Sequence, residues 1–179
     1  MYIFLYIISK KTKNNMGILI SSFPGCGKKY LMNTHGGKAK MVDAVNEYGH
    51  VGQPTGDNGE YDYDLFVDAM MKDIDKYDII FIPIGDEYLN TLNERNIDYD
   101  IFYPSKERRG EFIENFVRNR TKPAAIRIID RDFEKMIDKI DDIEAENCYK
   151  HQLKEHGQFI GNDPAIMSYI NSLENDKRS

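Results

Sequence analysis

The chain has little of what several protein classes require. It has two cysteines, Cys26 and Cys148, in 179 residues. That is too few for a disulfide framework, and no Cys-x-x-Cys or Cys/His grouping suggests structural zinc. Cysteine usage of this kind fits a reducing, cytoplasmic setting. Basic charge is also short: 24 Lys and Arg stand against 30 Asp and Glu, a net charge of -6. A protein that coats nucleic acid is usually basic, so nucleic acid is a disfavoured partner. Long apolar runs are missing as well. Met1 to Ile8 is far below the roughly 20 residues that span a bilayer, and no basic stretch precedes it, so neither a membrane span nor a secretory signal is expected. The chain also contains no tryptophan and no internal repeat. What remains is an ordinary globular balance, 41% hydrophobic and 30% charged, at a length suited to one domain.

Residues 1–15 are expected to be an extension that is not part of the working protein, with the functional unit at 16–179. From Gly17 onward, strand-like and helix-like segments alternate. Short apolar runs at Gly17–Ser21, Lys40–Val45, Asp78–Ile84, Tyr99–Tyr103 and Tyr149–Leu153 read as strands. Helical spacing appears from Asp62 (Leu65, Phe66, Ala69, Met70, Ile74) and from about Asp86 (Leu89, Leu92). It recurs after Ser105, which is expected to cap its helix (Phe112, Ile113, Phe116, Val117), after Pro123 (Ile126 to Ile140) and after Asp163-Pro164. Residues 46–60 carry four glycines and a proline and read as a loop. This alternation predicts an α/β fold, a three-layer arrangement of a parallel sheet with helices on both faces.

The informative segment follows the first strand. Ser22 to Lys29 reads S-F-P-G-C-G-K-K, close to the phosphate-loop pattern G-x-x-x-x-G-K-[ST]. Glycines let the backbone turn its N–H groups toward a polyphosphate. A lysine reaches the terminal phosphates, and the next helix favours anions at its N-terminus. Pro24, Gly25, Cys26, Gly27, Lys28, Lys29 and Tyr30 are therefore the candidate nucleotide-binding residues. Two positions depart from the pattern. Ser22 replaces the first glycine, which is tolerable if its backbone is ordinary. Lys29 replaces the hydroxyl that would ligate Mg²⁺, and an ammonium cannot ligate a cation. Cys26, near a helix N-terminus, is expected to be an acidified, oxidation-sensitive thiol.

With this opening, the Asp after the second strand and a helix rich in arginine, the chain resembles the small P-loop kinases. These are the nucleoside and nucleotide kinases and the shikimate and gluconate kinases. It looks most like short kinase-like P-loop proteins of bacteriophages and large viruses, which share segments such as Tyr77-Asp-Ile-Ile-Phe-Ile82 and Phe102-Tyr-Pro-Ser-Lys-Glu107. The likeness spans roughly residues 17–173, although only the glycine-rich turn is a specific motif. It implies a P-loop NTPase fold with a helical lid, ATP as cofactor, and phosphoryl transfer to a small-molecule acceptor, foremost a nucleoside or nucleotide.

The resemblance also suggests roles. Lys28 would be catalytic, and Asp43 would orient the acceptor or hold metal. Asp86 is either a second metal-side carboxylate or the cap of its helix. Segment 105–122 carries six cations against three glutamates, +3 within a chain of -6. It occupies the place of the lid, with Arg108, Arg109, Arg118 and Arg120 as candidates to close over the transferring group. The alternative for that segment is a solvated face on which the glutamates pair with the arginines. Gln158 sits where the last-strand loop of such kinases approaches the base. Tyr48, Tyr61, Tyr63 and Tyr88 are expected to serve packing. Lys29 also keeps a second function open, a nucleotide-binding regulatory protein with a degenerate magnesium site.

Overall fold

The computed structural model describes residues 16–53 and 59–176, the last three of these by backbone only. The expected extension at 1–15 and part of the expected loop, 54–58, lie outside the described residues. Five strands form one parallel sheet: β1 (Ile18–Ser22), β2 (Met41–Asp43), β3 (Ile79–Ile82), β4 (Tyr99–Pro104) and β5 (Cys148–Leu153). The helices are α1 (Lys28–His35), α2 (Ala44–Tyr48), α3 (Tyr63–Lys72), α4 (Asp86–Glu94), α5 (Arg109–Arg118), α6 (Pro123–Asp141) and α7 (Pro164–Asp176).

The central strands β3 and β4 are buried throughout: Ile79 to Ile82 is apolar at every position, and Tyr99 to Pro104 at all but Asp100. The order across the sheet is β2-β3-β1-β4-β5. The chain therefore leaves β1 toward one edge and leaves β4 toward the other. Connections that diverge from neighbouring strands open a crevice at their carboxyl ends, where ligands of α/β sheets collect.

Right-handed crossovers place α1 on one face and α3, α4 and α6 on the other, and the packing agrees. α3 lies against α4, and α7 meets α1 through the tight turn Ile160–Asn162. On the α6 side, Phe23 is wedged against Phe133 (centroids 5.0 Å) and Phe112 (6.1 Å). All three rings are fully buried, and each contributes about 1.5–3 kcal/mol by leaving water. At the far edge His151 Nε2 lies 2.6 Å from Asp100 Oδ1, and its ring stacks on Phe102, which ties β5 to β4.

Several boundaries differ from the sequence expectation. The second strand ends at Asp43, because the Asp43 carboxylate accepts the Val45 N–H (3.1 Å) and starts α2 at Ala44. Leu65 and Val117, expected on buried faces, are exposed. Ser105 does not cap α5 with its side chain. A tight turn, Lys106–Arg108, intervenes, and the helix begins at Arg109.

Candidate functional site

β1 delivers the chain into the crevice. Ser22 is its last residue, in ordinary strand conformation, as the missing first glycine requires. Phe23 N–H donates to the Phe102 carbonyl of β4 (2.8 Å), so the glycine-rich turn begins pinned between β1 and β4. Gly25 (φ 85°) and Gly27 (φ 94°) then take left-handed backbone, which costs other residues about 1–2 kcal/mol. Left-handed residues that alternate with ordinary ones turn N–H groups into a concave nest that favours anions.

Gly27 caps α1 without a side-chain hydrogen bond, and the first intrahelical bond is Leu31 N–H to the Gly27 carbonyl (3.0 Å). The N–H groups of Lys28, Lys29 and Tyr30 therefore have no intrahelical acceptor, and the helix dipole adds partial positive charge there. Pro24 and Gly25 form the outer rim, and Tyr30 projects into solvent beside Gly161.

Lys28 is ion-paired with Asp43, whose other oxygen holds the start of α2. Lys28 opens α1, after the turn that follows β1, and Asp43 ends β2, with β3 lying between those two strands in the sheet. Two residues assigned to one site from their places in sequence are thus brought together. Lys29 is exposed and has no ion-pair partner among the described residues.

Asp86 lies elsewhere. It is the first residue of α4, with Gly85 as the cap, and its carboxylate takes Lys139 Nζ of α6 (2.6 Å). It faces a groove of about 660 Å³ between α4 and α6 that no residue of the glycine-rich turn lines.

The candidate lid is divided. Arg108 is only 4% exposed and forms a two-pronged pair with Glu111 (2.8 Å on each side). Arg109 is bound to Asp130 of α6 (2.9 Å). Arg118, at the end of α5, is exposed and has no ion-pair partner among the described residues. The helix nevertheless abuts the loop, because a Cβ on Gly25 would lie 2.8 Å from Phe116 Cζ and 3.3 Å from Phe112 Cδ1.

The thiol of Cys26 reverses its expectation. It is buried, its Sγ lies 3.6 Å from the Phe102 carbonyl, and burial pushes its pKa up, which outweighs the lowering by Arg108. Gln158 folds back on its own turn, its Oε1 accepting the N–H groups of Lys154 and Glu155. Tyr61, Tyr63 and Tyr88 pack on one another and on Phe66, with centroids 4.8–5.0 Å apart for the closest pairs.

Sequence reasoning did not place Phe159, although its Cβ would meet a Cβ on Gly27 at 3.2 Å. The pairing of Ile160 N–H with the Cys26 carbonyl (3.0 Å) was equally unsignalled. Both contacts join segments more than 130 positions apart.

No protein-family model matches the chain, and no curated protein matches it significantly.

Among the described residues no group of three or more His, Cys, Asp or Glu side chains converges as a metal site. No helix among them is long and apolar enough to cross a membrane.

Proposed function

We propose that this protein is an ATP-binding phosphotransferase acting on a small molecule, foremost a nucleoside or nucleotide. The observation that carries this reading is the glycine-rich turn at the divergence of β1 and β4, with Lys28 set against Asp43 at its mouth. The free N–H groups from Lys28 to Tyr30 suit the phosphates of ATP. Lys28 would exchange Asp43 for the β- and γ-phosphate oxygens.

The exchange frees Asp43 to accept the proton of the acceptor hydroxyl. The acceptor oxygen then bonds to the γ-phosphorus, the bond to the β-phosphate oxygen breaks, and ADP leaves with the electron pair. Catalysis on this plan is positioning and electrostatic stabilisation. Arg118 is assigned the lid role, since Arg108 and Arg109 are already held by carboxylates.

The side chains at the turn do not suit a resident magnesium ion. Lys29 stands where a ligating hydroxyl is needed, and Asp43 is held by Lys28 and the Val45 N–H before ATP binds and is turned to the acceptor hydroxyl afterwards. Magnesium therefore enters only as part of the MgATP substrate, and no step is assigned to it. The test is ADP release from MgATP with a panel of nucleosides and nucleotides. Acceptor-dependent turnover that disappears in Lys28→Ala supports the proposal, and full turnover in that variant removes it.

Lys29 favours a second reading, a nucleotide-binding regulatory protein. Lys29→Ser separates the two. A sharp rise in magnesium-dependent turnover would identify a natural site that binds without efficient transfer, and an unchanged rate would favour the enzyme.

A further inference from the structure

We infer that Arg108 and Glu111 are positioning residues for the glycine-rich turn, acting through the rings of Phe112 and Phe159 on its two left-handed glycines. The inference uses the phosphate-site reading only for what the turn holds, while the mechanical link stands on contacts alone.

An arginine that closes over a ligand needs free donors and room to move, whereas Arg108 is buried and four of its five N–H groups are engaged. Its Nε and Nη2 donate to the two oxygens of Glu111 (2.8 Å each). Its Nη1 donates to the carbonyls of Leu153 (3.3 Å) and Gln158 (2.7 Å). Those carbonyls bracket the loop that leaves β5. Glu111 Oε1 also accepts the N–H of Gly157 (2.9 Å), in the middle of the same loop. One guanidinium and one carboxylate thus fix this loop at three points. A planar fork is needed for that, since an ammonium cannot reproduce it.

The same guanidinium lies over two adjoining rings, 5.1 Å from the centroid of Phe112 and 5.3 Å from that of Phe159, which are themselves 5.9 Å apart. Each ring bears on one glycine of the turn. Phe112 lies within 3.3 Å of where a Gly25 Cβ would be, and Phe159 within 3.2 Å of where a Gly27 Cβ would be. The next residue, Ile160, adds its N–H to the Cys26 carbonyl between those glycines (3.0 Å). Phe159 itself is held by Asn162, whose Oδ1 accepts its N–H (2.6 Å). The turn therefore rests in a cradle whose two walls are clamped by one buried ion pair. Packed contacts of this density transmit small shifts, since interiors leave little free volume to absorb them.

The test uses the full chain and three variants. Arg108→Lys and Glu111→Gln break the fork while nearly preserving volume. Tyr103→Phe is the control, because the hydrogen bond it removes goes to Asp141 at the far end of α6 (2.7 Å) and not to the turn. Two readouts are taken at a temperature where all four proteins are folded. The first is deuterium uptake of the 24–30 segment without ligand, and the second is affinity for inorganic tripolyphosphate. The positioning role predicts faster exchange in 24–30 and at least a tenfold loss of tripolyphosphate affinity in both fork variants, with neither change in Tyr103→Phe.

Fork variants that melt earlier yet keep wild-type exchange and affinity would overturn it, leaving the pair merely structural. If the wild type does not bind tripolyphosphate but the fork variants still accelerate exchange in 24–30, the positioning link stands and the phosphate-site reading falls. Unchanged exchange overturns the link whatever the affinity.

Discussion

Gly25→Ala puts the geometry of the turn to a quantitative test. At φ 85° a Cβ enters a backbone region that L-residues avoid, at about 1–2 kcal/mol. The new methyl would also stand 2.8 Å from Phe116 Cζ, 3.2 Å from its Cε1 and 3.3 Å from Phe112 Cδ1. Neither ring can simply swing aside. Phe112 is packed against Phe23 and Phe133, and Phe116 is buried beside it. Overpacking of this kind costs about 1–3 kcal/mol, so the sum is about 2–5 kcal/mol. For a chain of this length each kcal/mol lowers the melting temperature by about 2–4 °C, and the expected shift is about 4–20 °C.

Gly37→Ala is the matched comparison. It has ordinary φ and open space around the added methyl, and it should move the melting temperature little or raise it slightly. Differential scanning calorimetry of the two variants decides the matter. Equal melting temperatures would refute the left-handed, ring-packed turn described above.

Two further outcomes follow from charge and burial. The Arg108 fork, aided by the Gly157 N–H, holds the Glu111 carboxyl below the usual carboxylate range. A depressed folded pKa adds stability that is complete above the unfolded value, about pH 4.3, and is lost as pH falls through the folded value. Glu111→Gln should therefore flatten the loss of stability in acid below about pH 4.3, read from urea midpoints. An unchanged acid slope contradicts that coupling. Because burial pushes the Cys26 thiol up, a Cys148→Ser chain should react with an aromatic disulfide reagent at pH 8 only on unfolding. Fast labelling of the native chain contradicts the buried placement.

The sequence carries the sheet and the turn in different ways. Apolar runs such as Ile79–Ile82 identify buried strands because a strand covered on both faces favours apolar side chains along its whole length. The glycines at 25 and 27 are legible because a left-handed turn tolerates little else. Asp43 could be placed at a strand end, but its ion pair with Lys28 depends on the strand order, which local sequence does not encode.

Arg108 shows the limit most clearly. In sequence it belongs to a run of cations with a solvent-facing look, and its burial follows from where β5 and residues 154–158 return, some 45 to 50 positions later. The thiol of Cys26 was misread for a related reason. Its place near a helix start argues for a lowered pKa, but the contact with β4 removes it from water, and desolvation dominates. Asp86 was separated from the site by α6, whose Lys139 takes its carboxylate.

The central claim is that the turn binds the phosphates of ATP through Lys28. Calorimetric titration of MgATP into the wild-type chain and into Lys28→Ala tests it most directly. The account predicts saturable binding by the wild type and loss of that binding in the variant, with both proteins folded. Equal affinity in the two proteins, or no binding by the wild type, would contradict it.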